Sequence, residues 1–223
     1  DTPYNNGKIS FTITDGSTPF TIGDSFQINI TSVLVGNPLG ANDAAKRVSI
    51  VNALQGEINS NMDVRSEIYE YNIILCPGYF EVADELISLS QTVLDEAYVL
   101  ADTPFTLSPE DTATWGLTIA RHRSSSIEYS YPHGLASNLD GRNVFVASSG
   151  TMLKTITYSD NQTDVWWPAA GIRRGVVTGL TDIGYVTGTL GTATTFVSTP
   201  LNQGQRDVLY EAQKNINPIV FFP

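Results

Sequence analysis

Between Ile73 and Pro104 the chain carries the pattern that most restricts its fold. A short continuous apolar run, Ile73-Ile74-Leu75, is followed by Cys76-Pro77-Gly78, and then Val82, Leu86, Leu89, Val93 and Ala97 recur at helical spacing. Tyr98 to Ala101 is apolar again and ends in Asp102-Thr103-Pro104. Runs this short are strand-like, whereas the spacing between them belongs to one face of a helix. The same order then continues. Ser108 suits a helix N-cap, Pro109 the first helical position, and Asp111 sits three after the cap. Ile127, Tyr129 and Tyr131 alternate as a strand, Asp140-Gly141 makes a turn, and Val144-Phe145-Val146 is another apolar run. Ser148-Ser149-Gly150 then opens a further helix. Strand, helix, strand, helix, strand requires crossover connections, and so a largely parallel sheet with helices packed on it; a third crossover belongs to the same scheme.

The flanks read differently. From Lys8 to Val35, apolar residues alternate with Thr, Ser, Asn and Gln, punctuated by Asp15-Gly16 and Gly23-Asp24. That is the pattern of antiparallel strands with one face wet. Gly36-Asn37-Pro38-Leu39-Gly40 interrupts it, and Ala45, Val48, Val51 and Leu54 then mark a helix. Gly175 to Ser198 is hairpin-like, Leu201 to Asn215 reads as a last amphipathic helix, and Ile219-Val220-Phe221-Phe222 as a strand. The expected class is mixed α/β (α+β): a β-rich module over residues 1–42 and an α/β core over 43–223. With no initiator methionine at Asp1 and a strand in progress at Pro223, the chain reads as a piece of something longer, its core incomplete at the C-terminus.

Charge and composition narrow the function classes. Acidic residues outnumber basic ones 23 to 12, so the field around the molecule repels phosphate backbones and anionic lipid surfaces. Neither nucleic acid nor a membrane is an expected partner, and no apolar run approaches the ~20 residues that cross a bilayer. One cysteine and two histidines are too few soft ligands for a structural zinc site, and one cysteine forms no internal disulfide. No metal and no cofactor is expected, for no EF-hand spacing and no Gly-rich phosphate loop occurs.

In a parallel sheet every strand delivers its carboxyl end to one edge, where ligand sites form. The ends here are Cys76, Asp102, His133 and Ser148. A cysteine, a histidine and an aspartate at one edge outline a cysteine hydrolase, with Cys76 and His133 as its working pair. Two points oppose it. The residue after the nucleophile supplies an oxyanion-hole N–H in a nucleophile elbow, and Pro77 has none. A residue before proline is also held extended, whereas the elbow is sharply turned. Packing is therefore the expected role of Cys76, a turn cap that of His133, and a bond to its own turn that of Asp102. No catalytic residue is expected.

Elsewhere, Arg121-His122-Arg123 and Arg173-Arg174 read as a solvated face, or alternatively as contacts to an acidic neighbour. Asn29-Ile30-Thr31 and Asn161-Gln162-Thr163 match glycosylation sequons. Asp160, Asn161 and Asp164 suit either a polar loop or a cation.

Several phrases, taken in order, resemble the sheath protein of contractile phage tails. They run from Glu67-Ile68-Tyr69-Glu70 through Cys76-Pro77-Gly78 to Val99-Leu100-Ala101-Asp102-Thr103-Pro104, and on to Tyr131-Pro132, Asp140-Gly141 before Val144, and Ser149-Gly150. Asp160, Trp167-Pro168-Ala169-Ala170-Gly171, Arg174-Gly175, Leu201-Asn202, Asp207 and Ile216-Asn217-Pro218-Ile219 complete the series. Their order carries more weight than any one phrase. Sheath proteins often read Pro-Pro-Ser-Gly where this chain has Ala147-Ser148-Ser149-Gly150, and the first forty residues match no sheath phrase. The resemblance implies a structural subunit rather than an enzyme. Such subunits polymerise helically around a tail tube on a baseplate, and on contraction they drive the tube through the host envelope for genome ejection. Its partners would be neighbouring sheath subunits, the tube protein and the baseplate, and its place the virion, assembled in the host cytoplasm. In the family, terminal arms add strands to a neighbour's sheet. Lacking both arms, this piece is expected to be monomeric. Arg173 and Arg174 become candidate contacts to acidic patches next door. A third possibility, an adhesion or binding module, rests on the β-rich first forty residues.

Overall fold

The computed structural model describes residues 4–5, 10–11, 44–66, 68–92, 97–119, 122, 126–188, 195–211, 214 and 216–220. The chain divides into two units, Asp1–Val33 and Leu34–Pro223. In the first, β1 (Tyr4–Asn5) pairs antiparallel with β2 (Ser10–Phe11). The rest of the expected β-rich stretch, and the Asn29 sequon within it, lie outside the described residues.

The second unit is mixed α/β. Four strands, β3 (Ile73–Leu75), β4 (Tyr98–Asp102), β5 (Ile127–Tyr131) and β10 (Ile216–Pro218), form a sheet in the order β10-β5-β4-β3, with every pairing parallel. Side chains alternate across it at period two. Val99 and Ala101 of β4, with Ile127, Tyr129 and Tyr131 of β5, enter one core cluster together with Leu86, Leu89 and Leu209. Leu100 enters another with Met152, Ile183 and Ile219. The sheet is therefore covered on both faces, as a parallel sheet must be. The first face receives α1 (Ala44–Ser60), α2 (Ala83–Thr92), α3 (Pro109–Thr118) and α6 (Gln203–Tyr210); the second receives α4 (Ser148–Gln162).

Local chemistry sets the helix starts. Ser108 Oγ accepts the Asp111 N–H with Pro109 in the first turn, and Asn202 and Gln205 exchange side-chain and backbone bonds in a capping box. A single 3-10 turn, Phe80–Val82, leads into α2. Ala97, expected on that helix, instead lies buried just before β4, and Val93 is outside the described residues. Likewise α6 ends at Tyr210 rather than Asn215; among the described residues the last strand is Ile216–Pro218, and Phe221 and Phe222 of the run expected as a strand lie outside the described residues.

The larger difference concerns Val144-Phe145-Val146. It belongs to a second, antiparallel sheet of order β7-β6-β8-β9, built from β6 (His133–Ser137), β7 (Asn143–Val146), β8 (Asp182–Thr187) and β9 (Thr195–Ser198). Residues 138–142, too few for a crossover, make the turn expected at Asp140-Gly141, with Gly141 at φ +73°. The third crossover does exist. It runs from β5 to β10 and carries the whole second sheet, α4 and α6 inside it. Gly175 to Ser198 does contain a hairpin, β8 with β9.

Candidate functional site at the carboxyl edge of the parallel sheet

The edge predicted to gather Cys76, Asp102, His133 and Ser148 does bring Asp102, His133 and Ser148 into one hydrogen-bonded network, with Cys76 beside it. Asp102 closes β4 and is 2% exposed. Its Oδ1 accepts the Ser149 N–H at 2.7 Å and the Ser148 hydroxyl at 3.0 Å. Its Oδ2 accepts the Gly78 N–H and the Ser149 hydroxyl, both at 2.9 Å. Its partners therefore come from two other elements, not from its own turn as expected.

The reason lies in the start of α4. Its N-cap position is Ala147, which has no side chain able to accept the first free N–H groups of the helix. The fold supplies acceptors from elsewhere: His133 Nδ1 takes the Ser148 N–H at 3.3 Å, and Asp102 takes the Ser149 N–H. An anionic carboxylate at a helix N-terminus also complements the helix dipole. The single Ser148 hydroxyl proton is shared between that carboxylate and the Ser130 carbonyl of β5 at 2.8 Å, which ties the same turn to β5. Thus a cap contributed by β4 and β6 holds the helix that covers the sheet's second face.

His133 has no access to solvent and begins β6 rather than capping a turn. A backbone N–H aimed at Nδ1 requires that nitrogen to be unprotonated, so Nε2 carries the proton and donates to Thr103 Oγ1 at 3.2 Å. Phe105 at 4.6 Å between ring centroids and Phe145 at 5.4 Å wall the imidazole. Burial pushes its pKa down to about 4, against the opposing pull of Asp102. Both ring nitrogens are thereby occupied, and the carboxylate binds the serines rather than the imidazole.

Cys76 sits half-buried against the first core cluster. Burial first, then the charges of Asp102 and Glu81, push its thiol up to about 11, with Arg47 opposing. The Pro77-Gly78 pair turns the chain, Gly78 at φ +91°, and the Tyr79 N–H returns to the Cys76 carbonyl at 3.2 Å. The N–H that this turn does offer, that of Gly78, is spent on Asp102.

Arg47 of α1 completes the edge, and no sequence signal singled it out. Only 5% exposed, it grips Glu81 with two nitrogens at 2.8 and 2.9 Å and donates to the Gly78 carbonyl at 2.7 Å. Its guanidinium lies 4.9 Å from the Tyr79 ring centroid. Lys46-Arg47 is a basic pair on an acidic chain, which is the one sequence trace it leaves.

The remaining candidates are scattered. His122 is buried, not on a solvated face: Nε2 lies 2.6 Å from Asp84 Oδ1 and Nδ1 2.6 Å from the Tyr129 hydroxyl. Its neighbours Arg121 and Arg123 are outside the described residues. Arg173 and Arg174 close a short helix, α5 (Gly171–Arg174), with Arg174 stacked 3.8 Å over Trp167. Asn161 and Asp164 are exposed at the end of α4, beside half-buried Asp160. A second acid, half-buried Glu128, accepts from the Tyr98 hydroxyl at 3.0 Å, and its loss of solvent raises its pKa. Among the described residues no three His, Cys, Asp or Glu side chains are grouped to hold a metal ion, and no helix is long and apolar enough to cross a membrane. An open groove of about 370 Å³ lies elsewhere, between α4 and the stretch before β8, lined by Lys154, Tyr158, Asn161 and Val176 among others.

No protein-family model matches the chain, and no curated protein matches it.

Proposed function

We propose that the chain is a structural subunit of a contractile tail sheath, packing against copies of itself around a tail tube on a baseplate, in a particle assembled in the host cytoplasm. One observation carries this reading: the side chains at the sheet edge, where a ligand would bind, are spent on holding the molecule together. Asp102 accepts four hydrogen bonds, His133 has both nitrogens occupied, and the Cys76 thiol is held protonated. A subunit that stores energy between copies needs a body that moves whole. Bonds from β4 and β6 to α4, and from α1 to the Cys76-Pro77-Gly78 turn, favour such a body. The ordered phrases from Glu67 to Ile219 supply the family. The cysteine-hydrolase alternative gains nothing from this geometry, because neither imidazole nitrogen is left to take a proton from Cys76.

Immunogold electron microscopy with antibodies raised against this chain tests the reading. Label along the whole length of a contractile sleeve is the expected result. Label confined to a capsid, or to cells that hold no tailed particle, would overturn it.

A further inference from the structure

Two exposed surfaces of the Leu34–Pro223 unit are opposite in charge and alike in their apolar content. The first lies after α4. Trp166 is 73% exposed and Ile172 77% exposed, beside half-exposed Trp167, the pair Arg173-Arg174 and one exposed acid, Asp164, which leaves the stretch net basic. Large exposed aromatics next to arginine are the composition of interface centres, not of ordinary surface. The second lies on α3 and α6, which are packed together and joined by the Gln205 side-chain bond to Glu110 at 2.9 Å. It exposes Glu110, Asp111 and Asp207 together with Leu117, Val208 and Tyr210. That same bond, first among its causes, lowers the Glu110 pKa.

We infer that the Trp166–Arg174 surface of one copy docks on the acidic α3–α6 face of a second copy. The chain bears 23 acidic against 12 basic residues, so most pairs of like faces repel, and two arginine pairs set against each other repel as well. The contact that brings arginine to carboxylate and indole to aliphatic side chain joins unlike faces. The two surfaces are reached from different faces of the parallel sheet: α3 and α6 pack with the first core cluster, whereas the segments that flank Trp166–Arg174, α4 before it and Val177, Leu180 and Ile183 after it, pack with the second. Each copy therefore offers one surface forward and the other behind. Such a head-to-tail contact does not use itself up in a dimer and continues into a ring or an open helix, of which the sheath reading calls for the helix. This inference rests on the reading of the chain as a polymer subunit and names where its copies meet.

Intercopy cross-linking tests it, and captures a contact that is short-lived in dilute solution. In a Cys76→Ser background, Ile172→Cys and Val208→Cys chains are made separately, mixed and oxidised at low ionic strength. Mixed disulfide dimers in several-fold excess over either homodimer are expected, and Arg173→Glu with Arg174→Glu should abolish the excess. Adding Asp207→Arg to the Val208→Cys partner should restore part of it. No excess, or Ile172→Cys homodimers dominating, would overturn the inference. Sleeve label in the immunogold experiment without cross-link excess removes this interface and leaves the sheath reading standing. Excess without sleeve label keeps the contact and removes the sheath reading.

Discussion

At the carboxyl edge of the parallel sheet and on the Trp166–Arg174 surface, chemically expressive residues are handled in opposite ways. Asp102, His133, Ser148 and Ser149 are buried, and their bonding atoms face one another. Trp166, Ile172 and Arg173 face solvent, and beside them Arg174 stacks over Trp167 within the same surface. Residues of catalytic type are thus not by themselves evidence of catalysis; what they have left to offer is. A polar group whose partners lie inside the protein acts on stability, whereas an apolar group left in water is available to a partner.

The comparison breaks first if Asp102 can be removed cheaply. Asp102→Ala leaves the Gly78 and Ser149 N–H groups and a serine hydroxyl buried without their acceptor. At ~1–3 kcal/mol for each of the three unsatisfied groups, a loss of at least roughly 3 kcal/mol is expected. Urea unfolding measures it. A loss under about 1 kcal/mol would mean that the network is not what holds α4.

His133 gives the next effect, through pH. Its folded pKa of about 4 lies below the ordinary 6.5, so between these values the unfolded chain binds more protons than the folded one. Stability is fully present above about pH 6.5 and is lost as pH falls toward 4. The loss is of order 3 kcal/mol for a shift of this size. Unfolding followed by denaturant at a series of pH values should show one proton's worth of slope in that window, absent in His133→Gln. An unchanged slope in that variant would place the titration elsewhere.

What could be read in advance follows the distance over which each signal acts. The Ser108 cap is written within four residues, and the alternation of Ile127, Tyr129 and Tyr131 is intrinsic to one strand, so both are legible. Asp102 is not, because its partners lie 24 and 47 residues away, and nothing local distinguishes a carboxylate that caps a distant helix from one that bends its own turn. Arg47 is similar, reaching the Gly78 carbonyl across 31 residues. The helix opened by Ser148-Ser149-Gly150 is legible, but its capping is not, because the N-cap is Ala147 and the acceptors come from other strands. Val144-Phe145-Val146 misled in a different way. An apolar run looks the same in an edge strand as in a buried parallel one, yet Val144 is exposed, and the Asp140-Gly141 turn in the short 138–142 connection is what betrays the hairpin.

The smallest expected effect lies on the other side of the comparison. Trp166 is a large aromatic residue, and burying such a side chain commonly contributes several kcal/mol, so its replacement in a core costs about 3–5 kcal/mol. Here it is 73% exposed and has little packing to lose. Trp166→Ser should therefore change stability by no more than about 0.5 kcal/mol in either direction, and should lower the retention of the chain on a hydrophobic-interaction column. Both measurements matter together. A stability loss near that of Asp102→Ala would show the indole to be part of the core that holds the body, and the surface would then no longer be free to meet another copy.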